Sequence, residues 1–195
     1  MKYKLTDETM TTESGIVLHR IECVNAFSKV KVGEKGGFVE KEENLSQYNN
    51  CWVYENARVF GNSSVYENAR VHGDALVCEN ARVFGNSRVC ENARVYGNSR
   101  VYGDALVCEN SVVCGDAILC GDAIIKNGND YIVFKNKWSS GRDFTWTRSN
   151  DMWKVGCFYG TGKELIEKAY KDSKLSGDCY KAHVELVEKL KEIQK

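Results

Sequence analysis

From Val53 the chain repeats itself every six residues, and nothing else in the sequence restricts the fold as strongly. The hexads run from Val53-Tyr-Glu-Asn-Ala-Arg58 to Leu119-Cys-Gly-Asp-Ala-Ile124, twelve in all, without insertion or deletion. The first position is Val in eleven hexads and Leu119 in the other. The third is always Gly or Glu, the fourth always Asn or Asp, and the fifth always Ala or Ser. A fixed short period of this kind is the mark of a solenoid. A β-branched first residue suits an extended, inward-pointing site. The fourth residue is expected to turn a corner with positive φ, which Asn and Asp tolerate better than other non-glycine residues. A small fifth residue fits the inside of that corner. Three short strands and three corners close an eighteen-residue coil, so twelve hexads make four coils. They stack roughly 4.8 Å apart, as neighbouring strands do. The expected object is a triangular prism of parallel strands, cored by ladders of Val and Ala.

These residues carry a resemblance. The block from 53 to 124 resembles the hexapeptide-repeat, left-handed parallel β-helix family, best known from acyltransferases. The second position departs from that family, which usually has a small residue there. This chain has Tyr, Phe, His or Cys, and so looks more like the uninterrupted arrays of phage and prophage proteins. The stretch Gly36-Gly-Phe-Val-Glu-Lys-Glu-Glu-Asn-Leu-Ser46 is similar to the segment that leads into those arrays. The resemblance implies a homotrimer of parallel prisms.

Three regions are expected: a cap and lead-in over residues 1–52, the β-helix over 53–130, and a small α+β domain over 131–195. In the first, Ile16 to Val24 reads as a strand and Tyr3-Lys-Leu as a short one. Leu45 and Cys51 fall in the small-residue register, so the prism is expected to begin near Glu40. A solenoid needs atypical terminal units to cover its open ends. In the last region, Tyr131 to Lys135, Phe144 to Arg148 and Trp153 to Phe158 read as strands, with a turn at Arg148-Ser-Asn-Asp151. Thr161-Gly-Lys-Glu164 has capping-box spacing and opens a helix to about Asp172. A second helix is expected from about Gly177, with Val184, Leu186, Val187, Leu190 and Ile193 as its apolar stripe. The fold class is mainly β, a left-handed parallel β-helix followed by a β-β-β-α-α domain.

Function must be read from the outer faces, because the core is generic. The second and sixth positions are expected to point outward. The second holds six aromatics, His72 and five cysteines, and the sixth holds six arginines, Ser64 and five aliphatics. The later coils, with Val112, Ile118, Ile124, Cys108, Cys114 and Cys120, present an apolar exterior of the sort that marks a contact surface. In the earlier coils arginine stands beside aromatic. One reading is plain packing, with guanidinium groups meeting Glu55, Glu67, Glu79, Glu91 or Glu109; such exposed pairs stabilise by only about 0.2–1 kcal/mol each. The other is a ligand groove where prisms meet. Rings there stack on a base, and arginines take phosphates bidentately. The residues that would carry it are Trp52, Tyr54, Arg70, His72, Arg88, Arg94, Tyr96, Arg100 and Tyr102.

Other chemistry is narrow. The histidines are His19, His72 and His183, and His72 alone sits on a prism face, so it is the one candidate for the general base that the family resemblance implies for acyl transfer. The looped-out insertion with which such enzymes commonly build a substrate pocket is missing. The nine cysteines show no CxxC spacing and no accompanying histidine, so no metal site is expected and reduced, cytoplasmic thiols are. Gly160-Thr-Gly-Lys163 lacks the length of a phosphate loop. No apolar run reaches the eighteen or so residues of a membrane span, and Met1 to Asp7 lacks the apolar centre of a secretory signal. Basic and acidic residues balance at 27 each, which argues against a general nucleic-acid binder. The leading expectation is a non-enzymatic, trimeric, cofactor-free binding or sequestering protein. It would hold an anionic nucleotide-like ligand at subunit junctions, in a phage setting acting on host signalling or defence. The first alternative is an acyltransferase using acetyl-CoA or another acyl-CoA. The second is a structural trimerisation module whose C-terminal domain recognises a host protein.

Overall fold

A computed structural model describes residues 1–194. It divides into two compact units, Met1–Asp130 and Tyr131–Lys195. The first is a parallel β-solenoid with an antiparallel cap. The cap is a hairpin of β1 (Tyr3–Thr11) and β2 (Val17–Cys23), followed by β3 (Lys35–Val39). Thirteen two-residue strands then recur every six residues, from β4 (Trp52–Val53) to β16 (Ile124–Ile125). Each pairs in parallel with the strand eighteen residues on, as Arg70 and Val71 do with Arg88 and Val89. Three sheets result, ordered β3-β5-β8-β11-β14, β4-β7-β10-β13-β16 and β6-β9-β12-β15. They are called here the first, second and third faces. First-position residues from Val53 to Ile125 and the small fifth-position residues are buried, so the Val and Ala ladders form the core as expected.

The corners work differently from the sequence expectation. Positive φ falls on the third position, not the fourth: Glu55, Glu67, Glu79, Glu91 and Glu109 lie at 55–60°, and the glycines at the remaining third positions at 65–75°. The Asn and Asp at the fourth position instead form side-chain ladders along the corners. Asn50 Nδ2 donates to Asn68, Asn68 to Asn86, and Asn86 to Asp104, at 3.1–3.2 Å. A left-handed Glu carries a steric penalty that glycine avoids. Its carboxylate offsets part of that by accepting the otherwise unpaired N–H of the glycine one coil on, Glu55 from Gly73 at 2.6 Å and Glu67 from Gly85 at 2.8 Å.

Two corner chemistries alternate. In Glu hexads the fifth residue's N–H closes the turn onto the second residue's carbonyl, as Ala81 N does on Cys78 O. In Gly hexads with a fifth-position Ser, the hydroxyl does this instead, Ser87 Oγ donating to Phe84 O at 2.7 Å. Ser111 is the exception. It stands in a Glu hexad, its own N–H already holds Cys108 O, and its buried Oγ has no partner.

The first coil is two residues longer than the rest. Phe38 and Val39 pair with Arg58 and Val59, and Leu45 bridges Val65, in each case twenty residues apart. Leu45 therefore takes the inward Val position, not the small-residue register read from the sequence, and the solenoid starts at β3. The extra residues are absorbed between Ser46 and Cys51. At Gly37 a Cβ would stand 2.5 Å from Ala57 O and 2.6 Å from Val53 Cγ1, so only glycine lets β3 lie that close over the first coil.

The second unit has a four-stranded antiparallel sheet, β17 (Tyr131–Lys135), β18 (Asp143–Thr147), β19 (Met152–Val155) and β20 (Phe158–Gly160), one strand more than expected. Helices α1 (Gly162–Asp172) and α2 (Lys174–Ile193) follow. Thr161 and Glu164 form the expected capping box. Helix α2 begins three residues before Gly177 because Ser173 caps it. Phe144, Trp146, Trp153, Leu165, Tyr180, Val184 and Val187 make the core of this unit. Leu186 and Ile193 are exposed, so the buried stripe of α2 is narrower than the sequence pattern suggested. Among the described residues no helix is long and apolar enough to cross a membrane.

Candidate functional site

The nine candidate ligand residues are spread over all three faces. Arg70 and Val71 form β7 on the second face, and His72 follows them. Arg88 is the rung neighbour of Arg70, while Tyr54 meets His72 edge to face at 6.4 Å. Tyr54, Arg70, His72 and Arg88 are thus one group. Arg94 and Tyr96 stand on the first face, Arg100 and Tyr102 on the third. Trp52 does not reach the surface. It holds the expected rung beside Arg70, but Tyr3 and Phe27 from the cap pack on its ring at 6.0 and 5.4 Å and bury it fully.

His72 directly follows β7 and is half-buried on the second face. Burial pushes its imidazole below the ordinary value of 6.5, and Arg88 and Arg70 push the same way; Glu55 and Glu91 act in the opposite direction. The ring is therefore neutral at pH 7. Neither ring nitrogen has a hydrogen-bond partner among the described residues, which leaves a lone pair free to take a proton. The other two histidines have structural roles. His19 Nδ1 lies 3.2 Å from Thr6 O, and His183 Nδ1 lies 2.7 Å from Cys179 O.

None of the six outward arginines forms an ion pair with the hexad glutamates, contrary to the packing expectation. The reason is the corner chemistry: Glu55, Glu67 and Glu79 point along the stack to Gly73, Gly85 and Gly97. The six arginines thus lack a direct carboxylate partner among the described residues.

The cysteines are less exposed than the sequence implied. Cys78, Cys90, Cys108 and Cys120 are buried. Burial, then Cys108 and Glu91, pushes the Cys90 thiol up to about 11. Such a thiol is a poor nucleophile at neutral pH. Among the described residues no three His, Cys, Asp or Glu side chains cluster as metal ligands.

One feature escaped sequence reasoning. The tip of the β1–β2 hairpin, Thr12 to Ser14, overhangs the first face and forms a cleft of about 270 Å3 with Arg58, Phe60, Leu76 and Arg94. Strands of nine and seven residues beside two-residue rungs have to overhang, which is the signal that could have found it.

No protein-family profile matches the chain. A 65-residue segment is 29% identical to the uncharacterized acetyltransferase YdcK of Escherichia coli (strain K12). The match covers 30% of this chain and only 20% of that protein.

Proposed function

We propose that the protein is an acyltransferase of the hexapeptide-repeat type, with His72 as general base and an acyl-CoA as donor. The observation that carries this reading is His72, its ring nitrogens without a hydrogen-bond partner, on the second face beside the rung neighbours Arg70 and Arg88. The similarity of a short segment to a protein named an acetyltransferase supports it. In this mechanism His72 removes the proton from an acceptor hydroxyl or amine as that group attacks the thioester carbonyl. The tetrahedral intermediate collapses, the C–S bond breaks, and the departing CoA sulfur takes up a proton. Arg70 and Arg88 hold the phosphates of the donor, where charge-assisted, bidentate bonds are strongest. The homotrimer implied by the resemblance belongs to the same proposal. Val112 and Ile124, 36% and 40% exposed, give it an apolar contact on the later coils.

The test is CoA release from acetyl-CoA, followed across hydroxyl and amine acceptors. General-base catalysis is worth roughly 10²–10⁴-fold, so His72→Ala should lower turnover by about 100-fold or more. The base must be neutral, so the rate should be flat through neutral pH. It should fall only below the lowered His72 pKa, hence below the ordinary 6.5. A His72→Ala variant with the wild-type rate would remove His72 from the reaction. A second reading, a holder of an anionic nucleotide-like ligand without turnover, is favoured by the arginines that lack a direct carboxylate partner. Tight nucleotide binding with no CoA release in any acceptor would select it.

A further inference from the structure

We propose that the cleft under the hairpin tip is a second binding site, for a small phosphorylated aromatic compound. It lies on the first face, apart from His72 on the second, and does not rest on the acyl-transfer reading. Its floor is a rung ladder in which Arg58 pairs with Leu76 and Leu76 with Arg94. The arginines are therefore two rungs apart, about 10 Å at the backbone, with Leu76 on the rung between them, and all three line the cleft. Arg58 is half-buried and, like Arg94, has no carboxylate partner among the described residues. A partly desolvated guanidinium without a counter-charge is an anion site by its electrostatics. The exposed Arg94 lines the same cleft, and two guanidinium groups suit an oxyanion that accepts several hydrogen bonds, which a phosphate monoester does better than a carboxylate.

The rest of the lining sets the other half of the ligand. Leu76 and the Phe60 ring are half-buried and apolar. They favour a flat hydrocarbon group attached to the phosphate, and a volume of about 270 Å3 limits it to roughly one ring. Across the cleft the tip is held in shape by its own bonds. Thr12 Oγ1 lies 3.0 Å from Ser14 Oγ and accepts from Ile16 N at 3.0 Å. Glu13 lines the same cleft without pairing with either arginine. Its carboxylate opposes an incoming anion and so tunes affinity downward.

The probe is phenyl phosphate, titrated by calorimetry into the full chain, with inorganic phosphate and benzoate as comparators. Phenyl phosphate should bind more tightly than either. A lost charged contact is worth about tenfold, so Arg58→Ala and Arg94→Ala should each weaken binding by about that factor, and the double variant should abolish it. Glu13→Gln should tighten binding, an effect that a merely structural role for the tip would not produce. His72→Ala should leave phenyl phosphate affinity unchanged, which separates this site from the one on the second face. These arginine and glutamate side chains lie outside the core, and circular dichroism would confirm that the variants fold. Undiminished binding in the Arg58→Ala/Arg94→Ala variant, or no binding by the wild type, overturns the proposal. Equal affinity for benzoate overturns the assignment to phosphate.

Discussion

The same substitution, Ser to Ala at the fifth hexad position, should have opposite effects at Ser87 and Ser111. Both side chains are fully buried, and Ala already fills this position in eight hexads, so sterics are matched. At Ser87 the hydroxyl donates to Phe84 O at 2.7 Å and lies 3.2 Å from Val101 O. Removing it deletes a hydrogen bond worth about 0.5–1.5 kcal/mol and strips a part-buried carbonyl of its donor, so Ser87→Ala should destabilise by about 1 kcal/mol. At Ser111 the equivalent carbonyl, Cys108 O, is already held by the backbone, and the hydroxyl is an orphan. A buried unsatisfied hydroxyl costs about 1–3 kcal/mol, so Ser111→Ala should stabilise by about 1 kcal/mol. The two variants should therefore differ by roughly 2 kcal/mol. Native-state hydrogen exchange reads this locally, at the amides of Arg70 and Arg94, which donate to Ser87 O and Ser111 O. It avoids a single global unfolding value, which is ill-defined for a repeat array joined to a second unit. Equal shifts of the same sign at both sites would refute the two-corner account.

Two other outcomes follow from the geometry. Gly37→Ala places a methyl group against Ala57 O and Val53 Cγ1, where backbone cannot yield; overpacking of this kind costs about 1–3 kcal/mol or more. The cap should then lose exchange protection before the later coils do, and an unchanged cap would show that β3 can lift freely. In the C-terminal unit, the Thr161 N–H and then its hydroxyl hold the Glu164 carboxyl below its ordinary 4.5. A depressed folded-state pKa means that the capping contribution is present above 4.5 and is lost as pH falls through the lower folded value. An NMR titration should show Glu164 titrating below 4.5, and Thr161→Ala, which removes the hydroxyl donor but keeps the N–H, should raise it only part of the way back.

The architecture was legible because a six-residue period forces a three-strand coil, whatever fills the second and sixth positions. The corner mechanism was less so. Asn and Asp at the fourth position and Gly or Glu at the third both fit a turn, and propensity favours Asn for positive φ. What decides the matter is the coil eighteen residues away. A Glu at the third position can bond the next coil's glycine N–H, a contact between rungs that no local pattern shows. The register of Leu45 failed for a related reason. Hexad counting backward from Val53 assumes an eighteen-residue coil, and two additional residues near Tyr48 shift everything before them. Trp52 continued the outward ladder in sequence, and only the folded cap shows that Tyr3 and Phe27 lie over it.

His72 was recoverable because chemistry singles it out: it is the only titratable aromatic base in a face of rings, thiols and arginines. The hairpin cleft was not, since its walls come from residues 12–14 and from 58–94, which no motif links. That contrast follows from the solenoid itself. An uninterrupted stack repeats the same convex profile on every rung, so its own faces present rows of side chains rather than enclosed pockets. Concavity has to be added by something that breaks the period. In this chain the long β1–β2 hairpin does so within unit one, beside two arginines with which its own Glu13 forms no ion pair. A second prism laid against the second face would do the same for His72. The acyl-transfer and phosphate-binding proposals therefore place their demands on different partners of the column, the first on another copy and the second on the chain's own cap. A variant confined to monomers, for example by a charged replacement at Ile124 on the second face, should thus lose CoA release while keeping phenyl phosphate affinity; loss of both together would mean that the two faces form one site.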